Sequence, residues 1–160
     1  MKKLGFIISV IILLFIQACG FSPLLKESSF ENVKIKKIKY TGPNELVYFL
    51  RSNLNIPISR TSKNGYFITI DINERLSSVT KNTAGVTTQE SIMISLKVNI
   101  LDVNNNVIGK ESLSDSKTVS ITNNISTDAE IKRIEKENIV INLIEELTFA
   151  IRAKIISSKK

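Results

Sequence analysis

The chain has 160 residues, a formal net charge of +7, a single cysteine and no histidine. That length corresponds to one domain with a substantial core. The lack of histidine removes the commonest general base and the commonest transition-metal ligand, and one cysteine permits neither an internal disulfide nor a thiolate metal cluster. We therefore expect a non-enzymatic protein without a metal or other cofactor, whose basic surface suits anionic partners.

The first twenty residues have the layout of a secretory signal, with Lys2 and Lys3, an apolar run and a small residue before the cut. Cys19 directly follows Ala18, which predicts a bacterial lipoprotein signal that is cleaved between these two residues and leaves Cys19 acylated. Gln17 is a less usual residue at its place in such a signal. One alternative is an N-terminal transmembrane helix, but the apolar run is shorter than the ~20 residues that span a bilayer. Another is a cleaved signal without lipid, which would leave Cys19 as an unexplained free thiol near the new N-terminus.

This interpretation divides the chain into three parts. Residues 1–18 form the lipoprotein signal peptide, residues 19–29 carry the lipidated Cys19 and a tether, and residues 30–160 form a single α+β domain. The acyl chains hold the domain on a lipid leaflet. Gly20 rather than Asp follows the cysteine, which in lipoproteins of this kind favours the outer membrane on its periplasmic side. An exported chain is not expected to bind nucleic acid.

The domain begins with a predicted strand and a predicted helix. Residues 33–40 alternate apolar and charged side chains, and their many lysines are typical of an edge strand. A one-residue slip in this alternation at Lys36 and Lys37 suits a β-bulge. Residues 44–54 have apolar positions at helical spacing and follow a turn that contains Pro43, so they predict the first helix.

Three more strands are predicted from alternating apolar residues, over 66–73, 92–100 and 107–121. The polar stretch that separates the first two of them ends at Gln89, and we interpret it as a long connection. The run of three asparagines at 104–106 predicts a tight hairpin turn, because Asn tolerates positive φ.

A long helix is predicted over residues 128–156. Residues 127–130 have the sequence of a capping box, with a hydroxyl at the cap and a glutamate three residues later. The apolar stripe of this helix is widened by Ile141, Leu143 and Phe149, so we expect the helix to be well buried.

The order β-α-β-β-β-α predicts an α+β fold in which two helices pack on one face of a four-stranded, mostly antiparallel sheet. Glu111, Asp115 and Lys117 interrupt the apolar side of the fourth strand, which indicates an edge or a bulge. The other face of the sheet carries polar residues such as Asp71 and Lys97. We expect that face to meet water or a polar partner surface.

The sequence CGFSPL at 19–24 resembles the C-G-[FW]-x-[PL]-L start of mature LptE, the lipopolysaccharide-assembly lipoprotein family. The order of elements is similar over the whole mature chain, including a long central hairpin and a long last helix. The resemblance implies that residues 30–160 form an LptE-like domain inside LptD, an outer-membrane β-barrel, as its plug and assembly partner. The pair would deliver lipopolysaccharide to the outer leaflet, and the polar interior of such a barrel suits a polar sheet face.

The resemblance also implies contacts with lipopolysaccharide, whose lipid A phosphates suit Lys and Arg donors. Four basic residues are candidates for these contacts: Lys81, Arg75, Lys97 and Lys117. Lys81 is the first choice, because it lies near the expected hairpin tip in a run without acidic residues from 76 to 89. Glu111 and Asp115 are alternative contacts for basic residues of the barrel.

Two other classes of protein remain open at this point. An auxiliary lipoprotein of an envelope lipid-transport ABC system would share the anchor and the mixed domain, and its co-purifying proteins would distinguish it. An anchored enzyme would need a convergent acid/base pair. Asp71 and Glu74 have opposite parity on a strand, and Glu145 and Glu146 are adjacent on a helix, so neither pair converges. We expect no catalytic residue.

Overall fold

The computed structural model describes residues 33–61 and 65–158 of the chain. Its elements are β1 (Ile35–Thr41), α1 (Asn44–Asn53), β2 (Tyr66–Lys81), β3 (Thr87–Leu101), β4 (Val107–Ser120) and α2 (Ile125–Ser157). The predicted order β-α-β-β-β-α is confirmed. The predicted cleavage site between Ala18 and Cys19, the lipidation of Cys19 and the tether at 19–29 lie outside the described residues.

The four strands form one mixed sheet in the order β1-β2-β3-β4. β1 runs parallel to β2, and the other two pairs are antiparallel, so β1 and β4 are the edges of the sheet. The predicted slip in β1 is a bulge, since the register shifts between Ile35 and Lys37. The predicted asparagine turn is also confirmed, and Asn105 there has a φ of +64°. The α+β fold with a mostly antiparallel sheet is therefore as expected.

The apolar core lies between one face of this sheet and the two helices. The sheet contributes the fully buried Ile35, Ile68, Ile70, Ile72, Ile92, Ile94, Leu96, Val98 and Ile100. The helices contribute Leu46, Leu50, Ile139, Val140, Leu143, Leu147, Ile151 and Ile155. Removing each large side chain of this kind from water contributes ~1.5–3 kcal/mol, so this core is the main source of stability.

The central strands are longer than the sequence predicts, and the expected long connection between them is wrong. β2 continues to Lys81 and β3 begins at Thr87, which leaves only residues 82–86 as the connection. Beyond Ile72, β2 passes out of the apolar core and its side chains become exposed. Alternation of apolar residues is the main sequence signal of a strand, and it reflects burial of one face. Outside the core this alternation ends, although the strand continues.

α2 begins at Ile125, and its cap is Asn124 instead of the expected capping box at Thr127. Asn124 Oδ1 accepts a hydrogen bond from the Thr127 N–H at 3.2 Å. Asp128 Oδ1 accepts hydrogen bonds from the backbone N–H and the hydroxyl of Thr122, at 2.8 and 2.7 Å. These bonds lower the pKa of Asp128, with the backbone donor contributing most. The helix therefore starts earlier than predicted. Asn124 accepts a hydrogen bond from a backbone N–H group of its first turn, and Asp128 accepts one from a backbone N–H group that precedes the helix.

The 33 residues of α2 extend for about 50 Å. Leu143 is buried as predicted, but Ile141 and Phe149 lie on the solvent side, where 45% and 71% of their surfaces are exposed. The expected wide apolar face is therefore wrong for these two residues, because the sheet covers only one side of the helix. Within residues 33–61 and 65–158, no helix is both long enough and apolar enough to span a membrane.

Candidate functional site on the outer face of the sheet

The face of the sheet that points away from the helices is largely polar. On the central strands, the register places Asp71 opposite Lys97 and Arg75 opposite Met93. The same face continues onto β4 with a row of small hydroxyl residues: Ser112, Ser114, Ser116 and Thr118. Two of the predicted basic contacts, Arg75 and Lys97, therefore lie on one broad polar surface, which we call the outer face.

Asp71 organises the part of the outer face near β1. Its Oδ1 accepts a hydrogen bond from Thr41 Oγ1 at 2.9 Å, and its Oδ2 accepts one from Asn73 Nδ2 at 2.8 Å. The bond from Asn73 lowers the pKa of Asp71 most, the bond from Thr41 lowers it further, and the charge of Lys97 adds to the effect. The carboxylate is thus held ionised by its neighbours.

Lys81 lies at the tip of the β2–β3 hairpin, as predicted. It is exposed, is the last residue of β2, and is opposite Thr87 in the ladder. The tip that follows is compact, because Asn82 Oδ1 accepts hydrogen bonds from the N–H groups of Ala84 and Val86 at 3.0 and 2.9 Å. Gly85 has a φ of +79°, a conformation that favours glycine.

The distal hairpin, which we define as residues 74–81 of β2 with residues 87–91 of β3, is joined across the strands by polar side chains. Thr80 Oγ1 donates to Gln89 Oε1 at 2.8 Å, and the hydroxyls of Ser78 and Thr87 are 3.0 Å apart. Thr88 Oγ1 donates to the Thr80 carbonyl at 3.2 Å. These hydrogen bonds connect the strands where the apolar core is absent.

On the helix side, the distal hairpin is held to α2 by two ion pairs. Lys132 Nζ lies 2.6 Å from Glu90 Oε2, and Lys136 Nζ lies 2.8 Å from Glu74 Oε1. All four side chains are less than a quarter exposed. Ion pairs at this depth are costly to break from one side, because an unpaired charge is left partly buried. The lysines of these pairs were not among the predicted functional residues.

Lys117 does not lie with the other predicted basic contacts. It is opposite the buried Ile92, so it is on the helix side of β4, and its Nζ lies 3.6 Å from Glu135 Oε2 of α2. Arg75 and Lys97 therefore share the outer face, four residues apart along the strands, while Lys117 lies on the helix side of the sheet in an ion pair.

The two acidic residues of β4 that we considered as barrel contacts also interact with side chains of α2. Glu111 Oε2 lies 3.2 Å from Lys154 Nζ, and Asp115 Oδ2 accepts a hydrogen bond from Asn142 Nδ2 at 3.2 Å. Charges on the inward side of an edge strand discourage pairing with another chain. In the sequence, these acidic residues stand out because they interrupt the apolar side of β4. The sequence alone did not show which residues of α2 would contact them.

The acidic pairs considered for catalysis lie apart. Asp71 is on the outer face, and Glu74 is on the helix side with Lys136, which agrees with their opposite parity. Glu145 and Glu146 are both exposed on α2. In the part of the chain that the structure describes, no three His, Cys, Asp or Glu side chains gather into a group able to hold a metal ion.

Neither a protein-family model nor a curated protein sequence matches the chain. Its fold is shared with solved structures of bacterial lipoproteins. A minor lipoprotein from Acinetobacter baumannii is 15% identical with a TM-score of 0.56, over 76% of this chain and 93% of the other. The rare lipoprotein B from Shewanella oneidensis is 9% identical with a TM-score of 0.58, over 78% and 99% of the two chains. At these identities the likeness establishes the fold.

Proposed function

We propose that the chain is an LptE-like outer-membrane lipoprotein, anchored through an acylated Cys19, that plugs an LptD-type β-barrel and assists its assembly. In this role the pair delivers lipopolysaccharide to the outer leaflet. The observation that carries the proposal is the fold, which this chain shares with bacterial lipoproteins over nearly their whole length. The sequence CGFSPL beside Cys19 adds independent support.

The outer face supports a partner with a polar surface. On the central strands Asp71 lies opposite Lys97, and the β4 portion from Ser112 to Thr118 presents uncharged hydroxyl groups. The interior of an outer-membrane barrel is polar, so it suits a polar sheet face of this kind. The distal hairpin extends this polar surface beyond the apolar core.

For lipopolysaccharide contacts, we propose Lys81 at the hairpin tip, with Arg75 and Lys97 on the outer face. Lys117 remains a weaker candidate because Glu135 already neutralises it. Replacing Lys81 with Glu should weaken lipopolysaccharide binding and outer-membrane integrity, since a repelling charge replaces a donor. Arg51→Glu, an equal charge change at an exposed position of α1, away from the outer face, is the matched control. If both variants behave like the unmodified protein, Lys81 is not a contact.

The proposed partner is tested by a pull-down of the full chain from envelopes in mild detergent, followed by mass spectrometry, with Cys19→Ala as the anchor control. We expect a near-stoichiometric outer-membrane barrel with the unmodified protein and much less of it with the control. Recovery of an inner-membrane ABC transporter would instead assign the chain to the auxiliary lipoproteins of lipid-transport systems. Recovery of no partner at all would contradict both assignments.

A further inference from the structure

An open cleft of about 530 Å³ lies at the free edge of β4, towards the end of the sheet at which β4 begins. Three lysines from three elements line it: Lys97 of β3, Lys110 of β4 and Lys154 of α2. Lys154 is distant in sequence from the other two, so the fold alone brings this cluster together.

Two neighbours hold Lys154 at this edge. Glu111 Oε2 lies 3.2 Å from the Lys154 Nζ, which fixes the end of the side chain. Gly109 makes room for its stem, because a Cβ at that position would be 3.1 Å from the Lys154 Cβ and 3.2 Å from its Cγ. A side chain at Gly109 would therefore press on Lys154, and the glycine allows helix and strand to approach closely.

The charge of the cleft is positive. Three lysines and one carboxylate, Glu111, line it, and Asn99 and Ser112 add neutral hydrogen-bonding groups. Since Glu111 is paired with Lys154, Lys97 and Lys110 carry the positive charge of the cleft. By contrast, Lys132 and Lys136 of α2 each lie within 2.8 Å of a largely buried carboxylate. A compact group with several acceptor oxygens and a negative charge, such as a phosphate, matches an open cleft lined by Lys97 and Lys110, with Lys154 held beside them by Glu111.

The cleft lies at the end of the domain from which the chain leads to its proposed anchor. The start of β1, the end of β3 and the start of β4 share this end, because Ile35 is opposite Tyr66, Phe67 is opposite Leu101, and Leu101 is opposite Val107. Cys19 precedes Val33 by fourteen residues, and a chain of that length reaches at most about 50 Å. A lipid headgroup is therefore within reach of this surface.

We propose that the cleft formed by Lys97, Lys110 and Lys154 binds the phosphate group of an anionic lipid. Two lipids carry this chemistry: a phospholipid of the anchoring leaflet and the lipid A part of lipopolysaccharide. The inference rests on the proposed anchor at Cys19 but not on a barrel partner, so failure of the pull-down described above would leave it standing.

Binding is measured by calorimetry on the full chain in a neutral detergent. The probes are short-chain phosphatidylglycerol, short-chain phosphatidylcholine, lipid A dispersed in the same detergent, and inorganic phosphate. We expect an anionic lipid to bind more tightly than phosphatidylcholine and inorganic phosphate, and to lose affinity with added salt. Tighter binding of lipid A would identify lipopolysaccharide as the source, and tighter binding of phosphatidylglycerol the leaflet.

Two variants locate the binding in the cleft. Lys97→Gln with Lys110→Gln removes two donors but keeps the pair between Lys154 and Glu111, and should weaken binding at least about tenfold. The matched control is Lys37→Gln with Lys39→Gln, which removes the same charge from exposed positions on the opposite edge of the sheet. We expect the control to change affinity less than about twofold.

Three results would overturn the inference. Absence of binding to either anionic lipid would exclude the site. An equal loss in the two double variants would assign the binding to the overall charge. Equal affinity for inorganic phosphate and both lipids would show that the cleft does not recognise a lipid. Gly109→Ala sharpens the test, because it shifts Lys154 without changing charge and should weaken binding two- to threefold.

Discussion

Two regions of the sheet contact the helices through different kinds of side chain. One is the part next to β1, and the other is the distal hairpin. Near β1, buried isoleucines of β2 and β3 pack directly against apolar residues of both helices. In the distal hairpin, Glu74 and Glu90 form ion pairs with α2, and polar side chains join the two strands. Burial of apolar surface supplies most of the favourable free energy of folding. The part of the sheet next to β1 therefore stabilises the fold, and the distal hairpin presents a polar surface.

The largest difference is expected for core truncation. Leu96→Ala removes a side chain with no exposed surface and should lower the free energy of unfolding by about 2–5 kcal/mol. Leu76→Ala, in the distal hairpin, should lower it by less than about 1 kcal/mol, because 46% of that side chain is already exposed. Urea unfolding of the full chain in a neutral detergent measures both. Equal losses would contradict the contrast between the two regions.

The cost of replacing a glycine that has a positive φ should also differ between the two regions. A Cβ at Gly42, where φ is +132°, would lie 2.1 Å from the carbonyl oxygen of Ile72, so Gly42→Ala should cost about 3 kcal/mol of stability. At Gly85 in the hairpin tip, a Cβ would meet nothing within 4 Å, and Gly85→Ala should cost only about 1 kcal/mol. Thermal unfolding of the two variants shows which one loses more stability. A larger loss for Gly85→Ala than for Gly42→Ala would show that the hairpin tip is the more constrained turn.

The ion pairs predict a smaller effect that is local to the distal hairpin. Lys136→Gln leaves the Glu74 carboxylate largely buried without its partner and should cost about 1–2 kcal/mol. Adding Glu74→Gln should recover part of this loss, and hydrogen exchange should show faster opening of residues 74–81 than of the core strands. Lys37→Gln, which is exposed on β1, is the control and should change stability by less than about 0.5 kcal/mol. Additive losses in the double variant would argue against the pair.

The smallest expected effect is the pH dependence at the start of α2. Hydrogen bonds from Thr122 lower the pKa of Asp128 in the folded state, so this carboxylate contributes stability above its unfolded value of ~3.9. That contribution is lost as the pH falls through the folded value. Hydrogen exchange at the first turn of α2 should therefore accelerate on acidification, and Asp128→Asn should remove most of this change. An unaltered pH profile in Asp128→Asn would assign the acid sensitivity to another carboxylate.

The sequence predicted those parts of the fold in which one side of an element is apolar. The order of elements, the bulge in β1 and its place at an edge followed from alternation and charge, whereas for β4 these signals left an edge or a bulge open. The full length of the hairpin did not, because residues such as Ser78 and Thr80 pair across strands through hydroxyl groups and carry no apolar signal. The exposure of Phe149 was also missed, since helical spacing does not reveal how much of a helix the sheet covers.

The candidate site was predictable only in part for a related reason. The parity of β2 and β3 placed Lys97 on the polar face, and the position of Lys81 near a turn was readable from composition. The partners of Lys117 and Glu111 lie on α2, and no local spacing links them to β4. The cluster of Lys97, Lys110 and Lys154 likewise exists only once the helix lies against the edge of the sheet.

Site-specific photocrosslinking in intact envelopes tests the proposed function most directly. A photoreactive residue replaces Ser95 on the outer face in one variant and the exposed Glu145 on the solvent side of α2 in another. We predict a crosslink from Ser95 to an outer-membrane β-barrel, and loss of that crosslink when Cys19 is replaced by Ala. A Ser95 variant that crosslinks only to an inner-membrane transporter, or to no protein while the Glu145 variant captures the barrel, would contradict the proposed role of the outer face.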